Sequence, residues 1–260
     1  MKYITRILQF FYVVYAIILF VSLMFLVLPV AAVASFFGRI RGGNFIYKLC
    51  RMWGNTWLLL IGICHKNIYM TPHVTDRAYI YVANHISYMD IPVLLKSLQA
   101  PIRILGKIEM SKIPVFGFLY KQTVVMVDRS SGEHRAKSVR VLKAILKKRI
   151  SVVIFPEGGF NTTGQPLKEF YSGAFRIAIE MQTPIKPVIF PDTLDRLHHE
   201  DILSLSPGIS RAIFMEEIPV AGLTLRDVDG LQQKVYDLMD AELRNWKKYD
   251  EIAQDYAVSA

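Results

Sequence analysis

Hydrophobic positions follow two regimes along this chain. From Ile7 to Phe37 there are 31 consecutive residues without a charge. A bilayer-spanning helix needs only about 20 apolar residues. The apolar core of a signal peptide would be shorter, about 7–15 residues. The segment is therefore expected to enter a membrane, with a buried core helix as the alternative. Pro29 predicts a kink or break, so a re-entrant pair of short helices is a further form. A second apolar stretch, Phe45 to Cys64, mixes Lys48 and Arg51 with Trp53, Trp57 and Leu58-Leu59-Leu60-Ile61. It predicts either a helix at the interface, with its tryptophans at headgroup depth, or an ordinary core helix.

Beyond residue 72 the pattern changes to short β-branched runs alternating with helical periodicity. Strands are predicted at 78–83, 102–105, 123–127, 151–155, 185–190 and 211–216. Helices are predicted at 88–99, 133–149, 171–181 and 225–248. Such alternation predicts an α/β fold: a mixed, largely parallel sheet flanked by helices, behind an N-terminal membrane-embedded or interfacial helical segment. A division near residue 66 separates anchoring helices, 1–66, from a catalytic domain, 67–260.

Charge adds an orientation. Lys2 and Arg6 precede the long apolar segment, and Arg39, Arg41, Lys48 and Arg51 follow it. Positive flanks favour the cytoplasmic side, which places the larger C-terminal portion there. The 260-residue chain carries a formal net charge of +9, which favours an anionic partner: lipid headgroups, a phosphorylated cofactor or nucleic acid. Residues 134–149 hold Arg135, Lys137, Arg140, Lys143, Lys147, Lys148 and Arg149 with no acid, while Val139, Leu142, Ile145 and Leu146 form an apolar stripe. This reads as a solvated helix face, or as a docking surface for an acidic acyl carrier, a CoA phosphate or anionic lipid. No aromatic-interleaved RNA-binding motif accompanies it, so nucleic acid is not expected as a partner. Two cysteines, Cys50 and Cys64, argue for neither a disulfide framework nor zinc.

Candidate chemistry begins at Asn84-His85-Ile86-Ser87-Tyr88-Met89-Asp90, directly after the apolar run Tyr79-Ile80-Tyr81-Val82. A neutral imidazole can take a proton from a hydroxyl, and a carboxylate can hold its tautomer and stabilise the imidazolium. Residues five apart do not stack on one helix. His85 is thus expected in the turn after the strand and Asp90 in the first turns of the next helix. The pair alone arises too easily by chance to decide anything.

Four further blocks follow in order. Gly106-Lys107-Ile108-Glu109-Met110 leads to Ile113-Pro114-Val115-Phe116-Gly117. Val127-Asp128-Arg129 ends a strand and presents a guanidinium, either for a phosphate or for a structural ion pair. Phe155-Pro156-Glu157-Gly158-Gly159-Phe160 turns out of a strand with amides a ligand can approach. Pro184-Ile185-Lys186-Pro187-Val188 reads as a strand with proline at its edge. His198-His199-Glu200-Asp201 could ligate a metal but sits in a polar pattern that favours a solvated loop.

Taken in order over about residues 70–220, these blocks resemble the PlsC-type lysophosphatidic acid acyltransferases of the glycerolipid acyltransferase family. Asn84-His85 with Asp90 is similar to that family's His-x4-Asp signature. Val127-Asp128-Arg129, Phe155 to Gly158 and Pro184 to Val188 are similar to its second, third and fourth motifs. The resemblance implies that His85 is the general base, Asp90 its orienting partner and Asn84 a supporting residue. It implies acceptor binding by Glu157, Gly158 and Gly159, with Arg129 and Lys107 as cations for phosphate. The reaction implied is transfer of a fatty acyl group from acyl-CoA or acyl carrier protein to a lysolipid hydroxyl, first of all 1-acylglycerol 3-phosphate. No metal, no cofactor beyond the thioester and no covalent acyl-enzyme are implied, and no Gly-x-Ser-x-Gly elbow occurs.

One departure stands out. The family's third motif usually continues Glu-Gly-Thr-Arg, whereas this chain reads Glu157-Gly158-Gly159-Phe160. Losing a bidentate donor weakens phosphate binding unless Arg129, Lys107 or Lys168 replaces it. The acceptor is then either 1-acylglycerol 3-phosphate or a lysolipid without a phosphomonoester, such as a lyso-aminolipid. Two other classes remain as rivals: a membrane-tethered basic binding protein, and a hydrolase.

Overall fold

In the computed structural model the described residues are 2–72, 74, 76–128 and 131–246. Helix α1 (Lys2–Ser35) is followed by a short π-helical stretch, Gly38–Gly42, and by α2 (Gly43–Leu60). The two helices run antiparallel. Trp57 Nε1 donates to the Ala16 carbonyl at 2.8 Å, Trp53 Nε1 to Phe20 at 3.0 Å and the Tyr12 hydroxyl to Ile61 at 2.7 Å.

Two expectations are corrected here. Pro29 does not break α1, which continues through it. Pro29 and Phe25 both lie on the exposed side, so the ring and the carbonyl it leaves unbonded fall outside the packed seam of Met24, Val27, Ala31 and Ala34. The tryptophans of α2 are not at an interface: Trp53 and Trp57 are buried, both against Phe20 of α1. The outer side of α1 is the lipid-like one. Phe11 and Leu26 are 64% and 72% exposed, and Arg6–Ser35 is the one helix among the described residues long and apolar enough to cross a bilayer. An exposed apolar face of this length is consistent with membrane association.

The remaining elements are β1 (Ile63–Tyr69), β2 (Ile80–Ala83), α3 (Asp90–Ser97), β3 (Ile102–Lys107), α4 (Phe116–Thr123), β4 (Val124–Val127), α5 (Gly132–Leu146), β5 (Ser151–Ile154), α6 (Gly173–Met181), β6 (Ile185–Ile189), α7 (Thr193–Arg196), β7 (Gly208–Phe214) and α8 (Val228–Asn245). The seven strands form one sheet in the order β1-β7-β6-β2-β5-β3-β4. Every pairing is parallel except β6 with β7. The sheet is therefore mixed and largely parallel, with helices on both faces.

Successive residues of β2 point to opposite faces. Ile80 and Val82 enter the larger core with α5, α6 and α8. Tyr81 and Ala83 enter a second core with α3 and Tyr47 of α2. From β2 the chain crosses over β5 to reach β3, and from β5 it crosses over β2 to reach β6. The carboxyl ends of β2 and β5 thus form a switch point, the usual ligand crevice of an open α/β sheet.

Three details differ from the sequence reading. Residues 63–69 are a strand, so the division at 66 falls inside β1, which pairs with β7. Polar residues hid it: His65 bonds Asn67 at 2.8 Å and Ser97 Oγ at 3.0 Å instead of showing an apolar alternation. Val13, Ala16, Trp57 and Leu58 also share an apolar cluster with Met89, Leu197 and Leu205, so the helical hairpin is packed onto the α/β unit. The proline-containing strand β6 is interior, not an edge. Pro187 needs no donor there, because pairing with β7 begins only at Val188, and its carbonyl accepts from Met215 N at 3.0 Å.

Candidate active site

His85 leaves the carboxyl end of β2 in an irregular turn, and Asp90 is the first residue of α3. A helix N-terminus favours a carboxylate. Asp90 is fully buried. Its Oδ2 accepts from His85 Nδ1 at 2.8 Å, Ile86 N at 2.8 Å and Ser87 N at 2.9 Å, while Oδ1 has no hydrogen-bond partner among the described residues. The five-residue spacing becomes a closed loop around one oxygen. A hydrogen on Nδ1 leaves Nε2 with its lone pair, the state a general base requires.

The backbone of His85 is held from both sides by the turn after β5. Its N–H donates to Glu157 Oε1 at 2.8 Å and its carbonyl accepts from Asn161 N at 2.8 Å. Glu157 Oε2 accepts from Lys168 N at 2.9 Å. Both oxygens of this buried carboxyl are thus taken by main-chain amides, which makes Glu157 a positioning residue and not a contact for an acceptor. Burial pushes its pKa up to about 8, against the opposing effect of the two amides. Asn84 does the same for β6: Oδ1 accepts from Phe190 N at 2.8 Å and Nδ2 donates to its carbonyl at 3.3 Å.

Gly158 lies at φ +75°, a left-handed conformation that a side chain disfavours. At Gly159 an added Cβ would sit 3.8 Å from Lys107 Nζ. The end of β3 thereby delivers an exposed ammonium to the glycine turn. Arg129 lies outside the described residues. Its neighbour Asp128 pairs with His134 Nδ1 at 2.7 Å. Helix α5 bears out the apolar stripe, with Leu142, Ile145 and Leu146 buried and its basic residues largely exposed; Lys143 pairs with Glu180 at 2.9 Å.

Aromatic rings surround the His85 imidazole. Phe155 stacks on His85 at 4.3 Å and 26°, and Phe160 packs on it at 4.5 Å and 60°. Tyr88 meets Phe160 edge-on at 4.7 Å, and His199 lies 5.8 Å from Phe160. The residue that departs from the family pattern is therefore in the site itself. His199 corrects another expectation. His198, His199 and Glu200 do bring ligand atoms within 4.8 Å of one another, but the loop is not uniformly solvated: the His199 side chain is only 6% exposed. Ser87 Oγ donates to the Leu197 carbonyl at 2.5 Å and ties this loop to the turn between β2 and α3. The sequence does not single out Tyr88, and it marks Phe155 only as part of a motif and His199 only as a candidate metal ligand; Phe160, out of pattern, is the one signal pointing toward a ring cluster.

A family model described as Acyltransferase matches residues 64–191. The 1-acyl-sn-glycerol-3-phosphate acyltransferase of Haemophilus influenzae is 30% identical over 169 residues, covering 63% of this chain and 68% of that protein. The chain belongs to the PlsC-type acyltransferase family. A lyso-ornithine lipid O-acyltransferase of Pseudomonas aeruginosa is 33% identical over 110 residues, 42% of this chain and 41% of that one. The crystal structure of the PlsC acyltransferase from Thermotoga maritima superposes with a TM-score of 0.70 at 20% identity, over 95% of this chain and 98% of that one. It is a likeness of fold, and it extends over the N-terminal helices as well as the sheet. The chain spans about half the length of several curated relatives that it matches.

Proposed function

We propose that this protein is a membrane-bound acyltransferase moving a fatty acyl group from acyl-CoA or acyl carrier protein to the hydroxyl of a lysolipid. The observation that carries the reading is the His85–Asp90 bond at 2.8 Å, with Asp90 buried and the imidazole partly open at 19% exposure. His85 Nε2 takes the proton of the acceptor hydroxyl. The oxygen attacks the thioester carbonyl, the C–O bond forms and the C–S bond breaks. The leaving thiolate receives the proton from the imidazolium, which the Asp90 carboxylate stabilises in between. No serine nucleophile and no metal enters these steps.

The acceptor in the names of several relatives is 1-acylglycerol 3-phosphate, which would give phosphatidic acid here. Lys107 beside Gly159 is the cation that supports a phosphate. A second acceptor class, lyso-aminolipids, is supported by Phe160 lying against the base and by the name of the Pseudomonas relative, a lyso-ornithine lipid O-acyltransferase. Arg39, Arg41, Lys48 and Arg51 after α1 support a cytoplasmic face for the sheet. The test offers membranes containing the protein a labelled acyl thioester and a panel of lysolipids. Acylated product is expected from wild type and none from His85→Ala. Wild-type rate in that variant would refute the role of His85, and fatty acid release without transfer would indicate a hydrolase.

A further inference from the structure

Phe160 is more than a missing arginine. Its ring bridges His85 at 4.5 Å, Tyr88 at 4.7 Å and His199 at 5.8 Å. The wall beside the base is thus built of π faces where a guanidinium was expected. Tyr88 is 59% exposed, which leaves part of its ring open. His199 contributes an imidazole with 6% of its side chain exposed, whose ring nitrogens make no well-formed hydrogen bond among the described residues, although the Ile86 main chain lies close and Glu200 Oε1 is 3.8 Å from Nε2. Buried polar atoms are seldom left without partners, and beside an active site a water or a ligand group can complete them. Burial, then the adjacent His198, push the His199 pKa below its ordinary value, with Glu200, the Ile86 carbonyl and Asp90 acting the other way. A neutral imidazole offers a lone pair, and aromatic faces attract cations. A phosphomonoester finds neither useful, whereas an ammonium group finds both.

We propose that Tyr88, Phe160 and His199 form a headgroup wall that binds the ammonium group of an amino-headgroup lysolipid, with Lys107 taking that headgroup's anionic part. The inference rests on the acyl-transfer reading above and names the acceptor chemistry of the same site. The ring faces hold the charge by cation–π attraction. His199 accepts one N–H, so a primary ammonium is preferred to a quaternary one, which has no proton to donate. The Lys107 ammonium, close to Gly159, balances the phosphodiester or carboxylate.

The experiment compares three acceptors on the membrane-embedded protein: lysophosphatidylethanolamine, lysophosphatidylcholine and lysophosphatidic acid. The expected kcat/KM order follows that sequence, with at least a tenfold margin of the first over the last. Phe160→Arg should invert the ratio of first to last. His199→Ala should lower use of the ethanolamine lipid about tenfold, mainly through KM, and leave the choline lipid nearly unchanged. His199→Gln, which keeps an acceptor atom, should restore part of the loss. An equal fall for all three acceptors in His199→Ala, or an unchanged ratio in Phe160→Arg, would overturn the wall while leaving acyl transfer intact. Failure of wild type to acylate any lysolipid would instead overturn the acyl-transfer reading beneath it.

Discussion

Replacing Asp90 by asparagine probes the base through one oxygen. Asp90 Oδ2 accepts from two main-chain amides and from His85 Nδ1. If the asparagine amide nitrogen took that place, it would face three donors, and the two fixed amides would lose their acceptor. Each buried bond lost costs about 1–3 kcal/mol. The asparagine oxygen therefore occupies the Oδ2 position, and its nitrogen takes the Oδ1 position, where no hydrogen bond is displaced. His85 Nδ1 then keeps its acceptor, and the productive tautomer survives. What disappears is the negative charge opposite the imidazolium. A charge-assisted bond contributes about 1.5–3 kcal/mol, which at about 1.36 kcal/mol per decade is roughly a 10- to 150-fold fall in kcat. Loss of the tautomer in a Ser-His-Asp triad costs about 10⁴-fold, so the two outcomes are separable. The assay is transfer of labelled acyl groups to lysolipid in membranes matched for protein content. A rate within twofold of wild type would show that the carboxylate charge plays no part. A fall near 10⁴-fold would show that the amides of Ile86 and Ser87 do not hold the oxygen.

Other consequences follow from the groups that hold the turn. Burial raises Glu157 to about 8 from an ordinary carboxyl value of about 4.3, so the folded state binds this proton more tightly than the unfolded chain. The resulting stability is complete below pH ~4.3 and is lost as pH rises through about 8; melting of the detergent-solubilised protein from pH 5 to 9 should fall with pH, and Glu157→Gln should flatten that slope while lowering stability at pH 5. An equal slope in the variant would remove Glu157 as its source. Asn84→Ala strips the Phe190 amide of its buried acceptor, so a loss of about 1–3 kcal/mol is expected, read as a lower denaturation midpoint, with transfer activity reduced but not abolished. Gly158→Ala forces a side chain into φ +75° at a cost of about 1–2 kcal/mol, and impaired activity with preserved membrane insertion is the expected result; full activity would mean the turn relaxes freely.

The local pattern alone determined a great deal. An uncharged run long enough to cross a bilayer, alternating β and α periodicities, and motif blocks in a fixed order are properties of neighbouring residues. From them came the long apolar N-terminal helix, the α/β class, the family resemblance and the pair His85 and Asp90. Strand β1 escaped because its inward polar residues are satisfied by Ser97, thirty or more positions away. The fate of Trp53 and Trp57 depended on which face α1 presents, and amphipathicity does not say what will cover it. Glu157 read as an acceptor ligand until the fold placed the amides of His85 and Lys168 on its two oxygens. His199 was the least legible. It enters the site only because Ser87 fastens the loop after α7 against the turn before α3, a contact across 110 residues. Chemistry set by short-range spacing can be read along the chain, whereas a pocket wall assembled from distant loops is decided by packing, where burial and unpaired hydrogen-bonding groups first acquire a value.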